Sequence, residues 1–218
     1  MSFVPCLTIL PAAQRELWTE LATLPPTFIL YGGTALALRL GHRESVDFDF
    51  FSHDPLDHDV LSALPWMQGA TTLQLAQNTR TVLIERGAST VKVSMFGAIG
   101  FGRVGVPELA NGSRLRVASP LDLGGTKIKA LLQRVEAKDY LDIDALVSRA
   151  GVPLPELLGA ALTLFGPSFN PLVARKALAY YEGGDLDRLD TATRERLTRA
   201  AVESLVTPEV PRVSARLD

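Results

Sequence analysis

The run from Phe28 to Phe51 leaves few choices of fold. Phe28-Ile29-Leu30-Tyr31 reads as a short buried strand. Gly32-Gly33 breaks it, and Thr34 to Leu40 has the apolar spacing of a short helix that stops at Gly41. Val46 to Phe51 then alternates apolar and acidic residues, the pattern of a half-buried strand. A strand, a glycine turn, a helix and a second strand in so short a space require a sheet with helices packed on it.

The remaining chain extends that plan. A first helix is expected from Pro11 to about Ala22, with Pro11 in its first turn and Pro25-Pro26 beyond its end. A loop over Ser52–Pro55 leads into a helix to about Leu64. Thr72–Ala76, Thr81–Glu85 and Thr90–Met95 read as strands, with turns at Asn78-Thr79 and Gly87-Ala88. Gly97 to Gly105 is loop, and Arg114–Val117 a further strand. Ser119-Pro120-Leu121-Asp122 resembles a helix start with Ser119 as cap, although Asp122 replaces the usual Glu of a capping box. Helical spacing then continues to about Ala150, with a break near Ala137. Residues 154–205 read as two or three helices, with a start at Asn170-Pro171 and a stop at Gly183-Gly184. Mixed elements followed by helices predict an α/β (α+β) mixed-sheet core over 1–118, a helical subdomain over 119–205 and a flexible tail over 206–218.

Composition fits a folded protein. The chain has 218 residues, 47% apolar and 21% charged, enough to bury a core without staples. Cys6 is the single cysteine, which excludes an intrachain disulfide and a cysteine metal cluster and is compatible with a cytoplasmic location. No secretory signal is expected at MSFVPCLTIL, and no apolar run is long enough to span a bilayer. The net charge of −2 gives no global pull on nucleic acid, and no basic recognition helix suggests a DNA-binding regulator. The charge is uneven, however. Residues 47–59 hold five aspartates and no Lys or Arg, a net −5; residues 103–138 hold seven Lys or Arg against three acids, a net +4. A cation-binding loop and a polyanion-binding segment would give this split, and so would a solvated surface.

The glycine turn and the acidic strand carry the sharpest chemistry. Gly32 and Gly33 let a phosphate approach the backbone N–H groups at a helix N-terminus, where the dipole favours an anion, and Thr34 adds a hydroxyl at the cap. Asp47 and Asp49, two apart on a strand, project from one face. Two hard oxygen ligands suit Mg²⁺, or Mn²⁺, with water and substrate phosphate completing the shell. A phosphate cradle beside paired carboxylates is what nucleotidyl transfer needs. Taken singly, a Gly-Gly turn or an Asp-x-Asp strand is common in proteins with no such activity.

GGTALALRLGHRESVDFDFFS closely resembles the signature of the AbiEii/AbiGii toxin family of nucleotidyltransferases. Arg43, Ser45, Asp47, Asp49 and Phe51 fall on its Arg-x-Ser-x-Asp-x-Asp-hydrophobic-Phe pattern. A second block, Lys127 to Arg134 followed by Lys138-Asp139-Tyr140-Leu141-Asp142, is similar to the family's Lys-x-x-Ala-x-x-x-Arg run and its basic-Asp-x-x-Asp element. The resemblance covers roughly residues 28–147 and implies a nucleotidyltransferase fold. It implies NTP as substrate, Mg²⁺ or Mn²⁺ as cofactor, RNA (tRNA among the candidates) as acceptor, and a cognate antitoxin as partner. Lys127 would contact phosphate, and Asp142 or Asp139 would act as an acid-base or positioning group. Arg43 and Ser45 would join Gly32, Gly33 and Thr34 in nucleotide binding.

From the residues themselves, Lys127, Arg134 and Lys138 share one face if a single helix continues, a cationic stripe that could hold a triphosphate. Alternatively these charges merely pair, Lys138 with Asp142 for example. The strand where a third acid would be sought, Thr90–Met95, offers Lys92 and Ser94 in its alternating positions; Glu85 on the preceding strand is the one nearby acid. A non-catalytic binding protein and a small-molecule nucleotidyltransferase are therefore the competing readings. His53 and His58 fit no zinc spacing, Trp66 and Met67 read as packing, and Cys6 has no activating neighbour.

Overall fold

The computed structural model describes residues 1–218 and divides into two compact units. The first comprises Met1–Gly102, Val106–Ser119 and Ser214–Asp218; the second comprises Arg103–Gly105 and Pro120–Val213.

The first unit is built on one eight-stranded mixed sheet. Its strands are β1 (Ser2–Phe3), β2 (Ile29–Tyr31), β3 (Asp47–Phe51), β4 (Thr71–Ala76), β5 (Thr79–Arg86), β6 (Ser89–Phe96), β7 (Glu108–Ala110) and β8 (Arg116–Val117). Their spatial order is β1-β7-β8-β2-β3-β6-β5-β4. β3 lies near the middle, antiparallel to β2 and parallel to β6. The period of two along β3 divides its side chains. Phe48 and Phe50 are fully buried, with Trp18 of α1 (Ala12–Glu20) stacked on Phe48 at 6.2 Å. Burying a side chain of this size contributes about 1.5–3 kcal/mol, which fixes the register. Asp47, Asp49 and Phe51 must then emerge on the other face, where all three are half-buried.

The glycine turn differs from the expectation. Helix α2 runs from Gly32 to Leu40, so the two glycines are its first residues and do not precede it. Tyr31 is the cap, and Gly41 closes the helix in the left-handed region at φ 56°. Arg39 of α2 ties this helix to the sheet. Its buried guanidinium pairs with Glu108 at 2.7 Å, donates to the carbonyls of Val117 and Ala118, and lies 4.3 Å over the Phe3 ring. β7 was not anticipated. Pro11 is the cap of α1 and not a first-turn residue, and the β4–β5 turn falls at 77–78, with Thr79 already in the strand. Helix α3 (His58–Ser62) is capped by the Asp57 carboxylate, which accepts from the N–H groups of Asp59 and Val60.

The second unit is helical: α4 (Pro120–Ala130), α5 (Ala137–Ser148), α6 (Leu154–Phe165), α7 (Pro171–Leu178) and α8 (Thr191–Glu203). Asn170 caps α7 through the N–H groups of Leu172 and Val173. The unusual Gly124-Gly125 pair in α4 is explained by close packing on α6. A β-carbon on Gly124 would collide with Leu157, and one on Gly125 would stand 2.9 Å from Leu164 Cδ1 and 3.1 Å from the Ala161 nitrogen. Asp122, fully buried, accepts from the N–H groups of Val104 at 2.7 Å and Gly105 at 3.1 Å, anchoring the short segment Arg103–Gly105 to this unit.

The C-terminal residues, expected as a loose tail, make specific contacts. The Val210 carbonyl accepts from Thr163, Arg212 donates to the Thr163 carbonyl at 2.6 Å, and Pro208 backs onto Gly159, all within the second unit. Within the first unit, Leu217 is fully buried, Arg216 pairs with Asp54 at 3.0 Å, and the Ser214 carbonyl lies where a Gly102 β-carbon would go. No helix is long and apolar enough to cross a membrane.

Candidate active site

In the first unit the acidic strand and the glycine turn come together. Antiparallel pairing sets Tyr31 opposite Asp49, so the residue after Tyr31 meets the Asp49 side chain. Gly32 has φ +75°, a conformation costly for any residue with a β-carbon. A β-carbon there would stand 2.5 Å from Asp49 Oδ2. Gly33 is crowded in the same manner: its β-carbon would be 2.7 Å from Arg43 Nη2 and 2.8 Å from Ser45 Oγ. Gly32, Gly33, Arg43, Ser45 and Asp49 thus form one cluster at the N-terminus of α2. The cap residue Tyr31 gives no side-chain acceptor to the first N–H groups of that helix, which leaves a partial positive charge at the cluster.

Thr34 has a different place from the one expected. It is the third residue of α2, fully buried, and its hydroxyl donates to the Asp47 carbonyl, with a longer contact of 3.4 Å to the Ser45 carbonyl. It holds the residues leading into β3 and does not cap the helix.

Asp47 lies one strand row from Asp49 and is paired. Lys92 Nζ of β6 is 2.8 Å from Asp47 Oδ2, and both side chains are more than a third exposed, 39% and 36%. Parallel pairing sets Asp47 beside Lys92 and Asp49 beside Ser94. Where a third carboxylate was sought, this face carries an ammonium and a hydroxyl. Glu85 is opposite Thr90 on β5, a strand that does not adjoin β3. Lys92 is the residue that sequence reasoning passed over: it was read as a missing acid, because spacing within one strand says nothing of which strand pairs with which.

Asp47 and Asp49 share the half-buried face of β3, and no group of three or more His, Cys, Asp or Glu side chains gathers to hold a metal. The donors fit a hard divalent ion, Mg²⁺ or Mn²⁺, whose shell is completed by water and phosphate oxygens. The pocket a Gly32 β-carbon would fill keeps the Asp49 carboxylate at the helix N-terminus, where such phosphates would lie.

The second block forms its own cluster within the helical unit. Lys127 Nζ of α4 is 2.8 Å from Asp139 Oδ1 and 2.7 Å from Asp142 Oδ2 of α5; the lysine is 7% exposed and both carboxylates 0%. Arg134 Nε adds a 2.7 Å bond to Asp139 Oδ2. Burial pushes the Asp139 carboxyl up, but the Arg134 hydrogen bond and the Lys127 charge outweigh it and hold the group below its ordinary value. The single cationic stripe is overturned. α4 ends at Ala130 and α5 begins at Ala137, so Arg134 lies in the connection. Lys138 pairs with Glu136 at 2.8 Å and not with Asp142. The break lets α5 fold back on α4, and this is what brings Asp139 and Asp142 to Lys127.

The remaining candidates are structural. His53 Nδ1 lies 3.0 Å from the Ile99 carbonyl, His58 Nε2 lies 3.0 Å from that of Ala76, and Trp66 is buried and donates to Thr23.

The chain is similar to several known proteins. Residues 16–215 match the family model described as nucleotidyl transferase AbiEii toxin, type IV TA system. An uncharacterized protein of Aquifex aeolicus (strain VF5) is 32% identical over 155 residues, 66% of this chain and 70% of its own length. Among solved structures, a candidate nucleotidyltransferase from H. pylori matches with a TM-score of 0.56 at 18% identity, over 88% of this chain and 91% of that one. The nucleotidyltransferase toxin MenT4 of Mycobacterium tuberculosis H37Rv matches with 0.59 at 15% identity over the same shares. At these identities the two structures establish the fold, the mixed sheet flanked by helices expected from the sequence.

Proposed function

Because the chain belongs to the AbiEii nucleotidyltransferase toxin family of type IV toxin–antitoxin systems, we propose that it moves a nucleoside monophosphate from an NTP to a hydroxyl of RNA, tRNA foremost, using Mg²⁺ or Mn²⁺ held by Asp47 and Asp49. The family assignment makes it an enzyme and sets aside the non-catalytic alternative. The observation that supports the finer reading is the Asp49 carboxylate seated against Gly32 at the N-terminus of α2, whose cap residue Tyr31 makes no side-chain cap hydrogen bond. Both NTP and tRNA are cytoplasmic, and so is the proposed site of action.

In this reading the N–H groups at Gly32 and Gly33 approach a phosphate, and the dipole of α2 favours its charge. Arg43, a planar fork, and Ser45 orient phosphate oxygens beside Gly33. The acceptor oxygen attacks the α-phosphorus; that O–P bond forms as the bond to the bridging oxygen breaks, pyrophosphate leaves, and the hydroxyl proton passes to water. A divalent ion held at this site would supply charge neutralisation for the pentavalent phosphorus. In the helical unit Lys127 is assigned a phosphate contact. Asp139 and Asp142, ion-paired and buried, are assigned the holding of Lys127; Asp139, whose pKa is lowered by Arg134 and Lys127, is a poor proton acceptor.

The test is incubation of the purified protein with each labelled NTP, Mg²⁺ and total tRNA. Label should enter tRNA from one preferred NTP and should vanish with Asp49→Ala. Label in a small-molecule acceptor, with none in RNA, would replace the RNA reading.

A further inference from the structure

We infer that Lys92 is a resident cation of the Asp47–Asp49 site: its ammonium holds Asp47 until a divalent ion arrives, and then turns to the phosphates of the nucleotide. The inference rests on the carboxylate-pair reading above and adds to it a residue outside the matched motifs.

The argument begins with register. β3 and β6 are adjacent and parallel, with Asp47 beside Lys92, Asp49 beside Ser94 and Phe51 beside Phe96. The face therefore meets the aspartates with an ammonium and then a hydroxyl. Ser94 is buried and is bonded by the Thr81 hydroxyl at 3.4 Å. Lys92 alone on β6 can reach the carboxylates with a charge, and it does so at 2.8 Å.

Exposure decides what this pair is for. With both side chains more than a third exposed, such a pair adds little to stability, about 0–1 kcal/mol. It can therefore be broken at small cost. Asp47 and Asp49 are balanced by Lys92 beside them and by Arg43 at Gly33, so the four charges cancel. A neutral site attracts a bare divalent ion weakly. Once the ion is bound the same site carries a net positive charge, which suits a triphosphate. The metal is thus favoured in company with the nucleotide, and Lys92, released from Asp47, is left beside the phosphates with three donors to offer.

The experiment measures Mn²⁺ binding to the nucleotide-free protein by electron paramagnetic resonance, beside transfer kinetics. A unit charge this close to the ion is worth about a factor of ten. Lys92→Met should therefore bind Mn²⁺ about tenfold more tightly than wild type, while its KM for NTP rises. Lys92→Arg, which keeps the charge, should retain the weak wild-type affinity. Opposite movements of metal affinity and nucleotide affinity are not expected of a merely structural lysine. Lys92→Gln serves as a second neutral variant should Lys92→Met fold poorly. If both neutral variants bind Mn²⁺ no more tightly than wild type, the inference is overturned. A separate arm uses Asp49→Asn. If that variant binds Mn²⁺ as wild type does, the carboxylate pair is not the metal site and the underlying reading fails instead.

Discussion

The Asp49 carboxylate rests against the α-carbon of Gly32, with Oδ2 only 2.5 Å from where a β-carbon would be. Gly32 also has φ +75°, which costs a residue with a β-carbon about 1–2 kcal/mol. Gly32→Ala should therefore lose about that much stability by urea unfolding. It should also displace the carboxylate and lose transfer as thoroughly as Asp49→Ala. Wild-type turnover in Gly32→Ala would show that the carboxylate need not sit at the turn.

Gly33→Ala should behave differently. Gly33 has no positive φ, and its crowding comes from the ends of Arg43 and Ser45, which can move. Stability should stay within about 1 kcal/mol of wild type, while KM for NTP rises as those two side chains leave the phosphate site. Steady-state kinetics beside a melting curve checks both halves.

The Lys127 cluster should dominate the stability of the helical unit. Removing one partner of a buried ion pair costs about 3–5 kcal/mol, because the other charge is left uncompensated. Lys127→Met should fall in that range. Lys127→Met combined with Asp142→Asn should cost less than the two single changes added together, read from denaturant midpoints as a double-mutant cycle.

Acid should dissolve the same cluster. Asp139 has a folded-state pKa below its ordinary value, so its stabilisation is complete above the unfolded value, 3.8, and is lost as pH falls through the lower folded one. The stability gap between wild type and Asp139→Asn should be constant from neutral pH to about pH 5 and should close in more acidic solution. A gap that closes between pH 7 and 6 would contradict the lowered value.

Gly125→Ala sets two effects against each other. Helix propensity gains about 1 kcal/mol, but the new methyl meets the Ala161 nitrogen at 3.1 Å and Leu164 at 2.9 Å. Backbone cannot give way as a side-chain tip can, and overpacking costs about 1–3 kcal/mol. Net destabilisation is expected, seen as a lowered Tm.

Much of the site could be read from local sequence because local rules govern it. The alternation of Asp47-Phe48-Asp49-Phe50 gave both the strand and the shared face, since burial of the phenylalanines leaves the aspartates one direction. The glycine turn was legible because few other residues tolerate its backbone. What was misread depended on contacts distant in the chain. Thr34 was taken for a cap because its partners, the Ser45 and Asp47 carbonyls, belong to the approach to another strand. Gly124-Gly125 inside a helix likewise has its reason in α6, which packs against both residues.

The sequence by itself determined which side chains share a face and where the backbone must be glycine, because periodicity and steric exclusion act within a few residues. Tertiary structure alone decided which charges meet. Lys92 reaches Asp47 through the parallel pairing of β3 with β6, and Lys127 reaches Asp139 and Asp142 because the chain breaks between α4 and α5. Strand register and helix reversal are settled by the packing of the whole core, and no short run of residues contains them.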